Sequence, residues 1–473
     1  MRDRTLFPLT LIAIFFVRGM ISFLTPVTAD ESYYLLWASH LDLSYVDHSG
    51  MVAWINSAFI YFFKEPLLSI RMASTVLMII TLMFIYRTAK MLSQSQSVAR
   101  AAVILFLLIP HNFVSGIIMQ VEQPLILFSA AGVYFFFRYV LSNKKGFLLP
   151  LSVCLGLAFL SKYTVLLLII GMVVSLALSP THRGVFKSWV FWLSVLVFMG
   201  IISPVIYWNF QHEWVSILFH EGRMGNSRIF EYFLPFLGDQ IIHFSPVLWV
   251  YLWLVLKKGQ RLPQEKILLI LGGTVFVTFL CLSIVTKVYG HWTSIMYIPL
   301  TLFLARYIEK EYQFMNRHVG LFTGVLSCIL LVVGPSVLAK QNDIRNNYNM
   351  SSIILEIQHS KPDDVMPVFA NLHGSIGQLS YYGRTQVYMP AGHMRMAGIW
   401  GEPQFRMWHE AVTISKGGDA LYYGFSNEKI QSKLLEKFKQ VTVVEEFKLT
   451  LLEGYISQFV LYHCQDAKDF FIF

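Results

Sequence analysis

The sequence predicts an all-α polytopic membrane domain of about eleven transmembrane helices over residues 1–338, followed by a small α/β soluble domain over residues 339–473. Three observations predict it. Of 473 residues, 55% are hydrophobic and 14% charged, where ordinary soluble domains carry roughly 25% charged residues. Apolar runs near 20 residues, long enough for a hydrocarbon core of about 30 Å, recur as far as residue 338. Beyond that point charges become frequent and no run is long enough to span.

The elements follow in order. Spans are predicted at 6–25, 67–86, 101–119, 124–141, 146–160, 163–179, 188–207, 237–256, 267–286, 292–308 and 319–338. Segment 51–63 is apolar but short, and reads as an interfacial helix along the first loop. Val27-Thr28-Ala29 after an apolar run is reminiscent of a secretory signal, but a run of about 20 residues interrupted by Arg18 is long for a signal core. Arg18 itself is expected to pair with an acid on a neighbouring helix. In the C-terminal part, β-like runs at 365–370, 420–425 and 440–444 and a polar helical stretch near 427–439 give the α/β pattern.

Charge gives the orientation. Residues 1–338 hold 24 Lys and Arg, and an N-terminus in the cytoplasm places 17 of them inside, as the positive-inside rule requires. Residues 339–473 then lie outside. No basic stripe with interleaved aromatics argues for nucleic acid. Cys154, Cys281 and Cys328 sit in apolar runs and Cys464 is alone in the soluble part, so no disulfide framework is indicated.

The same layout gathers the chemically capable residues on the outer side. Asp30 and Glu31 follow the first span; Asp47 and His48 lie in Tyr-Val-Asp-His-Ser-Gly; Glu122 follows the third; Lys162 and Tyr163 join the fifth and sixth. His220, Glu221 and Arg223 occupy the loop after the seventh, and Lys287, Tyr289, His291 and Trp292 follow the ninth. Singly, each has an ordinary reading: a helix cap for Asp30-Glu31, a snorkelling ammonium for Lys162, an aromatic belt for Tyr289 and Trp292. Together they are what sugar transfer from a lipid phosphate needs. A carboxylate takes the acceptor proton, cations hold the phosphate, and a second carboxylate orients the acceptor or steadies an oxocarbenium-like centre.

Two blocks carry a family resemblance most specifically: Asp30-Glu31-Ser-Tyr-Tyr-Leu-Leu-Trp-Ala with Leu43-Ser-Tyr-Val-Asp-His-Ser-Gly, and Leu160-Ser-Lys-Tyr-Thr. Val121-Glu-Gln-Pro-Leu, Ser203-Pro-Val-Ile-Tyr-Trp-Asn and Lys287-Val-Tyr-Gly-His-Trp agree in order. These resemble GT-C glycosyltransferases, in the branch of dolichyl-phosphate-mannose protein mannosyltransferases and bacterial aminoarabinose lipid A transferases. The resemblance covers most of residues 6–310 and implies an inverting transfer on the outer face of a bacterial inner membrane. The implied donor is a polyprenyl-phosphate-linked sugar, and the acceptor a lipid, glycan or protein. It implies catalytic Asp30, Glu31 and Glu122; phosphate contacts from Lys162, Arg223, His48, Lys287 and Tyr163; and substrate contacts from Tyr33, Tyr34, Asp47, Tyr289, His291 and Trp292. His48 stands where aminoarabinose transferases have Lys, Glu122 where the branch usually has Asp, and His291 where Asn is more usual. Some relatives hold a divalent metal, which here would fall to Asp47 with His220 or Glu221 as ligands of zinc or magnesium; their spacing alone is not diagnostic. The rival reading is a transporter or flippase of lipid-linked sugars, against which stand the lack of repeated blocks and the charges gathered at one face.

Overall fold

The computed structural model describes residues 2–25, 27–222, 229–257, 261–311, 350–360, 366–370, 373–383, 386–388, 404, 407–408, 413–425, 428–451, 454–469 and 471–472. They form two compact units. One comprises residues 1–23 and 42–331, the other residues 24–41 and 332–473. The span predicted at 319–338 and the domain boundary beside it lie outside the described residues.

The first unit is helical. Its helices begin with α1 (Arg2–Leu24), which carries the chain to residue 23 of this unit. The next helix in the chain, α2 (Ala29–Ser39), belongs to the second unit. Then come α3 (Met51–Phe63), α4 (Pro66–Ser93), α5 (Gln96–Leu108), α6 (Pro110–Ser115) and α7 (Glu122–Ser142). They are followed by α8 (Leu148–Phe159), α9 (Val165–Leu178), α10 (Trp189–Gln211), α11 (Val215–Gly222), α12 (Phe233–Phe244), α13 (Pro246–Leu256), α14 (Pro263–Leu282) and α15 (Tyr297–Glu311). The core is formed chiefly by the facing sides of α4, α5, α7, α14 and α15. Helix α10 is different: it is apolar all round, yet Trp189, Leu196 and Phe210 stand exposed. Such a surface is stable where hydrocarbon, not water, is the solvent.

Among the described residues, four helices are long and apolar enough to cross a membrane: α4, α7, α10 and α14. Counting the bent pair α12–α13 as one span makes five, so length and composition of the folded helices do not by themselves give the eleven expected. Proline accounts for two of the differences. The run 101–119 breaks at Ile109, held at ψ 122° before Pro110, because the proline ring disfavours a helical residue ahead of it. The run 237–256 turns by 94° between α12 and α13, where Ser245 takes φ 97° before Pro246.

The second unit contains α2 and a mixed sheet. Its strands are β1 (Val368–Ala370), β2 (Val387–Tyr388), β3 (Thr413–Ile414), β4 (Ala420–Phe425), β5 (Phe438–Leu451), β6 (Gly454–Ala467) and β7 (Phe471–Ile472). Five of them order as β2-β1-β4-β6-β5, with β1 parallel to β2 and β4, and β6 antiparallel to β4 and β5. Strands β3 and β7 form a separate antiparallel pair. Among the described residues three helices accompany the sheets: α16 (Met350–Ser360), α17 (His373–Gly383) and α18 (Glu428–Lys437). Helix α18 buries Ile430 and Leu434 against Tyr422, Val460 and Tyr462, the alternate residues of β4 and β6 that share one face. The predicted β runs and the polar helix are therefore present.

Candidate active site

In the first unit the site grows from a buried ion pair. Glu122 is the first residue of α7, where a carboxylate is favoured by the helix N-terminus. Lys162 lies in the turn between α8 and α9, and its ammonium donates to Glu122 Oε1. The two side chains are 4% and 6% exposed. A carboxylate and an ammonium so enclosed are stable only as a pair. The His291 Nε2 atom lies 3.8 Å from the same oxygen, and its side chain is 40% exposed. His291 is thus the member of the three that faces outward.

The position of His291 is fixed from behind. It sits in a 3₁₀ turn, Gly290–Met296, whose first residue is packed so closely that a Cβ on Gly290 would lie 2.6 Å from His243 Nδ1 and 2.9 Å from Asp239 Cβ. Gln240 donates to the Gly290 carbonyl (3.1 Å), and Thr293 donates to Gln240 (2.7 Å). His111 on α6 is buried with its ring 5.7 Å from those of His243 and Tyr297. Sequence reasoning passed over His111 and His243. The available signal was a polar Pro-His-Asn triplet inside an otherwise apolar run.

The first loop is pinned to the same turn. Met51 N–H donates to the Leu160 carbonyl (3.1 Å) and the Ser49 hydroxyl to the Phe159 carbonyl (3.1 Å). These bonds join the segment holding Asp47 and His48 to the end of α8, immediately before Lys162. Trp208 donates to the Asp42 carboxylate (2.8 Å), Trp54 to the Asp42 carbonyl (2.8 Å), and Ser216 to the Tyr45 carbonyl (3.2 Å). Burial, reinforced by the Asp42 charge, holds the Tyr45 phenol above its ordinary range. Loop 42–51 is therefore fastened to α8, α10 and α11.

Other predicted residues lie around this centre. The Tyr163 ring stands edge-on to His220 at 6.4 Å. Lys287 holds its ammonium 4.7 Å over the Tyr289 ring, which neighbours His291 at 5.8 Å and Trp292 at 5.7 Å. Arg223 lies outside the described residues. Among the described residues no three His, Cys, Asp or Glu side chains are placed to hold a metal ion, so the geometry does not assemble a ligand set from Asp47, His220 and Glu221. Arg18 also departs from expectation. It is buried, none of its guanidinium nitrogens has a hydrogen-bond partner among the described residues, and it packs on Gly116 with Phe15 and Phe113 rings 5.6 and 5.8 Å away. Aromatic faces take the place of the expected acid.

In the second unit, α2 carries Asp30 and Glu31. Its start is a capping box: Glu31 N–H donates to Thr28 Oγ1 (3.2 Å), and Thr28 N–H donates to Glu31 Oε2 (3.0 Å). That engagement satisfies two helix-end donors and occupies the fully buried Glu31 carboxylate with structure. Asp30, in the same first turn, is half-buried. Tyr33 and Tyr34 are buried, each packed edge-on to Trp37 at 5.1 and 5.2 Å.

Comparison with known proteins bears on the fold and on part of the sequence. The family described as dolichyl-phosphate-mannose-protein mannosyltransferase matches residues 47–208, a stretch containing His48, Glu122, Lys162 and Tyr163 and beginning after Asp30. The lipid A galacturonosyltransferase RgtD of Rhizobium johnstonii is 24% identical over 288 residues, 59% of this chain and 60% of that protein. The chain thus spans about 60% of the length of the curated relative it matches. The crystal structure of ArnT from Cupriavidus metallidurans in the apo state is similar with a TM-score of 0.62 at 15% identity, covering 97% of each chain. The same protein bound to undecaprenyl phosphate gives 0.64 at 14% identity over the same shares. By fold the chain is thus similar to the ArnT structures, and its residues 47–208 match the dolichyl-phosphate-mannose-protein mannosyltransferase family.

Proposed function

We propose that this protein transfers a sugar from a polyprenyl-phosphate carrier to lipid A on the outer face of the bacterial inner membrane. The observation that carries the reading is the enclosed Lys162–Glu122 pair with His291 on its open side. It lies mostly in the segment that matches the mannosyltransferase family. The acceptor is suggested by the galacturonosyltransferase relative and the carrier by the undecaprenyl-phosphate complex of ArnT. The outer-face placement rests on the cation bias of the loops.

Asp30 acts as general base. As the acceptor hydroxyl attacks the anomeric carbon, its proton passes to the Asp30 carboxylate. The bond from that carbon to the phosphate oxygen breaks with its electron pair going to the phosphate, and the configuration inverts. Lys162, with Lys287 and His48, holds the phosphate and offsets the charge that grows on it. Arg223 is assigned to the same task by resemblance. Glu122 keeps Lys162 in place and orients the acceptor beside His291, Tyr289 and Trp292. Glu31 supports Asp30 through the cap of α2. No step is assigned to a metal. Residues 339–473 lie in the periplasm.

Purified protein in detergent, given undecaprenyl-phosphate-linked galacturonic acid and lipid A, should yield lipid A heavier by one sugar residue by mass spectrometry. Repeating the assay with undecaprenyl-phosphate-linked aminoarabinose tests the sugar. Translocation of the carrier across vesicles without any transfer would establish a flippase instead.

A further inference from the structure

We propose that the C-terminal segment positions the catalytic carboxylate, with Gly377 and Gln378 as its positioning residues. The inference rests on the reading of Asp30 as base. Helix α2 is separated in sequence from α17 by more than 330 residues, yet the two pack together in one compact unit. The fit has no slack. A Cβ on Gly377 would lie 2.6 Å from Ser32 Oγ and 2.9 Å from the Ser32 carbonyl carbon. The second of these is backbone of α2, so a side chain at 377 can be admitted only if the helix moves.

Two further contacts bracket this one. The buried Gln378 Nε2 donates to the Val27 carbonyl at 3.0 Å, just ahead of the cap of α2. At the other end the Trp408 ring stacks on His40 at 5.0 Å, with 19° between planes, and approaches Tyr33 at 6.4 Å. The helix is therefore held before its first turn, beside Ser32 and Tyr33, and at its C-cap His40. Ser32 is two residues from Asp30. The chain between α1 and Asp42 is short, and the capping box orders only the start of α2. Fixing a reacting group matters in proportion to geometry, since a displacement near 1 Å can cost about 100-fold in rate. The arrangement assigns this task to the C-terminal segment.

Single-turnover transfer at saturating donor tests it, with donor half-saturation and melting temperature measured for each variant. Gly377→Ala and the milder Gln378→Met are expected to lower the rate roughly 10- to 100-fold with donor half-saturation within about twofold of wild type. Leu434→Ala, in the sheet core remote from α2, should lower the melting temperature and leave the rate unchanged. A rate loss in Leu434→Ala equal to that of the other two would mean general destabilisation and overturn the proposal. Wild-type rates in both Gly377→Ala and Gln378→Met, with Asp30→Asn inactive, would overturn the positioning and leave the base assignment standing. A wild-type rate in Asp30→Asn would overturn the assignment of the base and the positioning with it. Should Gly377→Ala fail to fold, Gln378→Met decides.

Discussion

The Lys162 ammonium donates to the Glu122 carboxylate across 40 residues of sequence, and both side chains are enclosed. Removing one partner leaves a buried charge without its counter-charge, at a cost of about 3–5 kcal/mol. Lys162→Met and Glu122→Gln should each lower the melting temperature. The double variant, neutral at both positions, should recover much of that loss. Transfer should stay low in all three if, as proposed, Lys162 holds the donor phosphate and Glu122 keeps it in place, since one such contact is worth on the order of 1.5–3 kcal/mol, or roughly 10- to 150-fold. Thermal denaturation beside single-turnover rates separates the two effects. A double variant no more stable than the singles would show that the pair is not coupled.

Asp30→Asn keeps size and shape while removing the basicity. The protein should fold and bind undecaprenyl phosphate, and transfer should fall by about two to four orders of magnitude. Retention of more than about a tenth of the wild-type rate rules Asp30 out as the base.

Glu31 is expected to behave differently from its neighbour. Its carboxylate completes the capping box of α2, and Gln serves at that position as well as Glu. Glu31→Gln should therefore have a small effect on rate, whereas Thr28→Ala should cost about 0.5–2 kcal/mol of stability. Calorimetry and the transfer assay give both numbers. A Glu31→Gln loss as large as that of Asp30→Asn would move Glu31 into the chemistry.

The topology has a direct test. Lys416 is exposed in the second unit and Ser97 is exposed on α5. With the N-terminus inside, Lys416→Cys should react with an impermeant maleimide in cells with a permeabilised outer membrane, and Ser97→Cys only after lysis. The opposite pattern would invert the layout.

Cys464 should give no background in that experiment. Burial, with the Asp419 charge adding to it, pushes its thiol well above the ordinary range. The thiolate is the reactive form, so the native protein should resist thiol reagents at pH 8 at this position. The unfolded thiol ionises near pH 8.5. Above that pH the unfolded state loses a proton that the folded state keeps, so the stability of the second unit falls as pH rises. Melting at about pH 7 and pH 9.5 should show a larger decrease in wild type than in Cys464→Ala. Equal decreases would contradict the assignment.

Composition and hydropathy by themselves determine that the chain is a membrane protein with a charged α/β end, because the cost of exposing apolar surface depends on residue type alone. The breaks at Pro110 and Pro246 were missed because continuous apolar runs conceal them, although a proline acts on the residue next to it. The blocks around Asp30, Glu122 and Lys162 were legible as well, because each is a charged residue at the end of an apolar run. Other relationships were not. That Lys162 meets Glu122, that His291 faces outward while His111 and His243 lie behind the turn holding it, and that Arg18 rests on aromatic rings all depend on packing between helices distant in sequence. So does the membership of α2. Residues 24–41 read as part of the membrane domain because they are near it in the chain, but they fold with the C-terminal unit. Only tertiary structure decides this, for the close fit of Gly377 on Ser32 is a contact between segments that no local pattern links.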